Sequence, residues 1–224
     1  MMRIPFAAAV GLTFTALYFL AAIFAPLLAP YGMAEVVGDV WEPSSAEHWL
    51  GTDNIGRDLL TRLIYGGRTT IFIATAATVL SFTTGAILGF LAAVLGGWAD
   101  QVMSRAVDLL MSIPTLIFAL VVLSVMPVTV PMLILVMGLL DSTRVYRLAR
   151  AVAVDINVMD FVEAARLRGE GRGWVIFREI LPNALSPLVA EMGMRFIFMV
   201  LFVSTLSFLG LGVQPPSADW GGIV

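Results

Sequence analysis

The chain has no cysteine, no lysine and a single histidine, His48, and only 13% of its 224 residues are charged. Without cysteine, disulfide scaffolds, zinc ribbons and thiol nucleophiles are excluded. One imidazole excludes a metal centre built on several histidines. All 13 basic residues are arginine, so a phosphate-binding loop of the form GxxxxGK followed by Ser or Thr cannot be present. Any ATP that drives this protein is bound by another chain. Charge is also too sparse to clothe a water-facing surface, since soluble domains carry about 25% charged residues.

What is present is apolar: 59% of the residues are hydrophobic and the mean hydropathy is +0.95. A soluble enzyme, a disordered tail and a nucleic-acid module are all disfavoured, and the natural solvent is lipid. A helical span needs about 20 largely apolar residues. Five runs approach this: residues 4–29, 69–95, 106–126, 132–140 and 185–209. The first, preceded by Arg3, exceeds the roughly 7–15 apolar residues of a signal peptide and reads as an uncleaved span. Pro114 lies near the start of the third. Pro127 and Pro131 bracket the link to the fourth, whose helical pattern continues through Tyr146 towards Asp155. Residues 30–67 hold Glu35, Asp39, Glu42, Glu47, Asp53 and Asp58 and read as a hydrophilic loop with a short helix over 57–65. Residues 96–100 read as a tight turn. The expected fold is an all-α, polytopic helical membrane protein.

Orientation follows from the arginines. Arg144, Arg147, Arg150, Arg166, Arg168, Arg172 and Arg178 fall between spans four and five, which makes that loop cytoplasmic by the positive-inside tendency. Counting back, Arg105 also lies inside and the 30–67 loop outside. Arg57, Arg62 and Arg68 run against the rule, which holds by majority.

Within the arginine-rich loop stands Glu163-Ala164-Ala165-Arg166-Leu167-Arg168-Gly169, followed by Ile180-Leu181-Pro182-Asn183. Asp160 suits an N-cap, and Gly169 suits the left-handed turn of a helix end. A second short helix is expected over 174–181, ended by Pro182. Ala164 and Ala165 leave one face nearly bare, and Arg166, Arg168 and Arg172 surround it with charge. The residues alone leave two readings open: an amphipathic helix resting on the inner leaflet, or a docking element for a partner protein.

This EAA-x3-G block with its later LP pair resembles the coupling-helix motif of bacterial ABC-importer permease subunits. Other stretches resemble the dipeptide/oligopeptide/nickel branch of that family: LGTDNIGRD from Leu50, RLIYGGR from Arg62, ILPNAL from Ile180, SFLGLGVQPP from Ser207, and Asp219-Trp220-Gly221. They occur in the family's order over residues 48–222. Glu179 departs from the pattern, where a basic or histidine residue usually precedes ILPN. The resemblance implies a heteromeric importer in the bacterial cytoplasmic membrane. Its parts would be a second permease subunit, two ATP-binding cassette ATPases that carry the hydrolysis, and an external substrate-binding protein. Carried over, Glu163, Ala164, Ala165 and Gly169, with Arg166, Arg168, Leu181 and Pro182, would form the ATPase-coupling site. The implied cargo is a di- or oligopeptide, with nickel or another small solute as the alternative. The implied division is a first span in 1–30, an external loop in 31–67 and a permease core in 68–224, with its cytoplasmic loop at 156–182. A sixth span, present in the family, is expected to be missing beyond Val224.

No cofactor, metal site or catalytic residue is expected. An intramembrane enzyme would need a nucleophile with its base, or metal ligands, within the spans, and the spans hold no histidine or cysteine. A membrane assembly component without transport is a further alternative. Gly85 and Gly89 form a GxxxG, extended by Ala93, that suits close packing of helices, within the subunit in preference to a contact with a second permease subunit. Glu191 and Arg195, four apart in span five, form either an intrahelical ion pair or a polar translocation surface. Arg105 and Asp108 are expected to pair in the same way. Asp58 and Arg57 are expected to exchange local hydrogen bonds and cap the helix before span two. Trp49, Trp98, Trp174 and Trp220 are expected to anchor at the membrane interface.

Overall fold

A computed structural model describes residues 5–223; Arg3, Ile4 and Val224, on which parts of the expected first span and the chain end fall, lie outside the described residues. Among those described, every regular element is helical. In order they are α1 (Phe6–Ile23), α2 (Ala25–Leu28), α3 (Leu59–Leu95), α4 (Gly97–Met111), α5 (Thr115–Val125), α6 (Val130–Asn157), α7 (Asp160–Leu167) and α8 (Arg172–Trp174). A π-helical turn, Val175–Ile180, then leads into α9 (Leu181–Phe208), and α10 is Trp220–Ile223. Among the described residues, three continuous helical runs are long and apolar enough to cross a bilayer: Phe6–Ile23, Leu59–Leu95 and Arg172–Phe208.

Two of the five expected spans take a different form. The third is broken at Pro114, where α4 and α5 meet at a bend of 81°, because a proline disfavours helical geometry in the residue before it. The fourth, α6, is one long helix as the pattern implied, with Pro131 in its first turn, where the missing N–H costs nothing. Its second half carries Asp141, Arg144, Arg147 and Arg150, so α6 is not among the apolar runs.

The short helix expected over 57–65 has no separate existence. It is the first part of α3, which continues through Gly66 and Gly67. Packing overrides the flexibility of this glycine pair: a Cβ on Gly67 would lie 2.8 Å from the Trp220 ring.

Pro182 does not end the second hairpin helix either. The π turn just before it widens the backbone, and Asn183 Nδ2 donates 2.7 Å to the Glu179 carbonyl. The wider turn relieves the clash of the proline ring with the preceding turn.

The described residues form two compact units. One holds the chain up to Ile73, Val128–Val130 and everything from Val203 on; the other holds Ala74–Pro127 and Pro131–Phe202. In the first, the loop before α3 folds around buried polar groups. Asp58 is the N-cap of α3, accepting from Thr61 N at 2.7 Å, as the capping expectation held. Arg57, however, turns to Asp53 rather than Asp58, at 2.7 Å. Trp220 is docked on protein, donating to the Leu63 carbonyl at 3.1 Å and meeting Tyr18 edge-on. Trp49 and Trp98 are exposed.

In the second unit, Gly85 and Gly89 let α3 lie directly on α6. A Cβ on Gly85 would fall 2.5 Å from the Ser142 carbonyl oxygen, and one on Gly89 2.8 Å from that of Tyr146. The GxxxG thus packs within the subunit, as expected.

Candidate coupling site

The hairpin of α7, α8 and the π turn is built by local rules. Met159, not Asp160, takes the N-cap position, and it offers no side-chain bond. Asp160 and Glu163 instead occupy the first turn, where carboxylates favour the positive end of the helix dipole. At the other end Gly169 has φ +84°. Its N–H bonds to the Arg166 carbonyl at 2.9 Å, and Glu170 N reaches the Ala165 carbonyl at 3.2 Å. This pair of bonds is a Schellman closure. No atom lies within 4 Å of a Cβ placed on Gly169, so the glycine is demanded by backbone angle alone.

The apolar side of the hairpin is seated on a shared core. Val162, Val175, Ile176 and Ile180 pack with Phe90 and Ala93 of α3, Ala149, Ala153 and Ile156 of α6, and Ala184 and Leu188 of α9. Alanines on the helices leave room for the hairpin's branched side chains, and close packing of this kind transmits displacement rather than absorbing it. Two polar clasps reinforce the seat. Asn157 Nδ2 donates to the Ala93 carbonyl at 3.2 Å, and Arg166 donates to Asn157 Oδ1.

The predicted coupling residues divide between the two sides. Glu163, Ala164, Arg166, Arg168, Gly169 and Pro182 are exposed. Ala165 is fully buried, which corrects its expected place on a bare docking face: its small side chain lets α7 lie close to its own subunit. Leu181 packs against the shared core. Glu179, the departure from the family pattern, is answered inside the hairpin, where Arg168 Nη2 lies 3.9 Å from its carboxylate and the guanidinium sits 5.8 Å above the Trp174 ring.

Glu191 and Arg195 do pair, at 2.7 Å, but the pair is part of a larger network. Arg195 Nη1 lies 3.4 Å from Asp141 Oδ1 on α6, and Ser81 of α3 donates to Asp141 Oδ2 at 3.0 Å. The arginine thus stands between two carboxylates, and three helices are tied at one point. Sequence reasoning missed Asp141 and Ser81. Asp141 sits at the edge of the apolar run, and only the observation that a charge there would fall inside a long helix could have flagged it. The expected Arg105–Asp108 pair is not formed; Asp108 accepts from Arg147 of α6 at 3.1 Å. A further contact joins Arg150 to Asp100.

Comparison with known proteins follows the same residues. A family model described as the binding-protein-dependent transport system inner membrane component matches residues 85–224. The dipeptide transport system permease protein of Alkalihalophilus pseudofirmus is 33% identical over 215 residues, covering 96% of this chain and 71% of that protein. The di/tripeptide transport system permease protein of Pseudomonas aeruginosa is 34% identical over 218 residues, 94% of this chain and 72% of its own. A putative peptide transport system permease protein of Brucella suis is 37% identical over 219 residues, with 96% and 73% covered. The seated hairpin with its EAA block, a family match that covers it together with α6 and α9, and relatives 33–37% identical make this chain a member of the binding-protein-dependent transport inner membrane components, and its apolar helical runs make it a multi-pass inner membrane transport subunit.

Proposed function

We propose that this subunit imports di- or oligopeptides, powered by ATP that partner ATPases bind and hydrolyse. In this reading two such ATPases lie on the cytoplasmic face, a second permease subunit completes the path, and an external binding protein delivers the cargo. The exposed side of the hairpin, Glu163, Ala164, Arg166, Arg168 and the Gly169 turn, docks on an ATPase. When nucleotide draws the ATPases together, the docked hairpin moves, and the spans alternate between inward-open and outward-open states. Nucleotide and cargo then bias one two-state element, which is what allosteric coupling requires.

One observation carries this reading. The hairpin's second arm is helically continuous with α9 in a single run from Arg172 to Phe208, and its apolar side is packed against α3 and α6. A push on the hairpin therefore reaches three helices through backbone and close packing.

The test is uptake of a labelled dipeptide by proteoliposomes carrying the whole importer. The expected result is accumulation that depends on ATP and on the binding protein. Gly169→Val forces a β-branched residue into left-handed geometry, at a cost of roughly 1–2 kcal/mol confined to the docking turn. The variant is expected to insert normally and to hydrolyse ATP without transport. Uptake at the unaltered rate in this variant would contradict the coupling assignment, and nickel uptake without peptide uptake would replace the cargo class.

A further inference from the structure

α4 and α5 meet at a bend of 81°, with non-helical backbone over residues 112–114. Thr115 is ten residues from the end of α5, about 15 Å at 1.5 Å per residue. Arg144 is 14 residues from the start of α6, about 21 Å by the same rise. Measured from the helix ends beside the 126–129 link, Thr115 is thus about half and Arg144 about two-thirds of the way across a core roughly 30 Å thick. Arg144, counted from sequence in the cytoplasmic loop, therefore stands within the length of a span. Backbone that leaves helical geometry at this depth persists only where protein covers it or where it lines a watery cavity. Within this subunit, Ser112, Ile113 and Pro114 are exposed.

A cavity of about 140 Å³ lies at the break, lined among others by Pro114, Thr115, Leu140, Thr143 and Arg144. Arg144 is 43% exposed, and its nearest carboxylate, Asp141, is 4.0 Å away. That carboxylate is held more closely by Ser81 and Arg195, so the Arg144 charge is left largely uncompensated. The remaining guanidinium contact is with Thr115 Oγ1 at 3.4 Å. The neighbouring cation, Arg147, is already paired with Asp108. An ionised side chain inside the membrane faces the bundle interior or a wet path, and an exposed arginine with free donors is suited to a carboxylate.

From this geometry we infer that the cavity at the α4–α5 break lies on the transport path and holds the terminal carboxylate of the passing peptide, with Arg144 as its cation and Thr115 as a neutral donor. This site rests on the peptide reading above. It is a stopping place and not a tight site, because one flexible, half-exposed arginine gives attraction with easy release.

The absence of cysteine in the chain allows a direct test. Thr115→Cys, in the whole importer, is treated with two methanethiosulfonates, one bearing a sulfonate and one a trimethylammonium. The sulfonate reagent is expected to react faster, by at least about tenfold relative to its rate with Arg144→Gln added, since a charged cleft concentrates counter-ions by that order or more. Dialanine is expected to slow the reaction, and dialanine amide to slow it much less. In transport, Arg144→Gln is expected to lower dialanine uptake with little effect on uptake of the amide, and Arg144→Lys to restore part of the difference. A thiol at position 115 that no aqueous reagent reaches would mean that lipid or a partner subunit covers the cavity, and would overturn the site. So would an equal loss of both peptides in Arg144→Gln while the wild-type importer transports them. No peptide uptake by the wild-type importer would remove the peptide reading, and this site with it.

Discussion

Two polar regions of this molecule handle charge in opposite ways. In the loop before α3, Asp53 and Asp58 are buried and answered within the chain, while Glu35, Asp39 and Glu47 stay exposed. Asp53 accepts from Ile55 N at 2.9 Å, Arg57 N at 3.0 Å and Arg57 Nε at 2.7 Å, and it faces Arg62 as well. In the hairpin, Glu163, Arg166, Arg168, Arg172 and Arg178 stand exposed, and apolar residues on the other side hold the element in place. Charges that answer one another inside a chain fix its shape. Charges left outward on a well-seated element are free to meet something else. The loop is therefore scaffold, and the hairpin is a contact surface.

The sharpest way to test this contrast is to break a buried, satisfied network. Asp141→Leu leaves Arg195 with one carboxylate where it had two and Ser81 without its acceptor, and a buried polar group left without its partner costs about 1–3 kcal/mol. Thermal unfolding in detergent should show this as a large fall in Tm, and adding Arg195→Met should recover much of it. A single variant as stable as the wild type would show that the three-helix tie carries no weight. The loop offers a milder test through pH. Burial by itself would raise the Asp53 carboxyl, but the hydrogen bonds from Arg57 and Ile55 outweigh it and hold the carboxyl below its ordinary value. A group lowered in this way stabilises the folded loop above the ordinary value, near 3.9, and the effect is lost as pH falls from there through the lowered value. Exchange protection of the Ile55 and Arg57 amides should therefore hold at neutral pH and fail only in acid, and Arg57→Met should move the failure to higher pH. The smallest effect on stability is expected at the exposed surface. Arg168→Gln removes an exposed ion pair of at most about 1 kcal/mol and should leave Tm nearly unchanged. Its effect should appear instead as weaker ATPase association in pull-down, and a variant that binds as tightly as wild type would take Arg168 out of the contact surface.

The hairpin was largely legible in the sequence because its rules are local. A glycine at the end of a short helix, an EAA block and a cluster of arginines are read within a few residues, and φ at Gly169 is positive as that position requires. The helix boundaries were less legible. Gly66-Gly67 and Pro182 are breakers by propensity, yet α3 runs through the glycines because Trp220 packs on them, and the π turn admits the proline. Ala164 and Ala165 look alike in sequence, but the helix turns one out and the other in.

Pair formation followed the same division. Glu191 and Arg195 are four apart on one helix and found each other. Arg105 and Asp108 also share a face, but Asp108 went to Arg147 on another helix.

By itself the sequence determined the solvent, the helical class, the positions of the apolar runs and the place of the hairpin, because each follows from composition or from spacing along one helix. The tertiary structure alone decided that Asp141 joins Arg195 and Ser81, that Arg144 lines the cavity beside the Pro114 break, and that Ala165 is closed to partners. Those outcomes depend on which helices meet and at what depth. Residues far apart in the chain settle that through packing, and no local pattern encodes it.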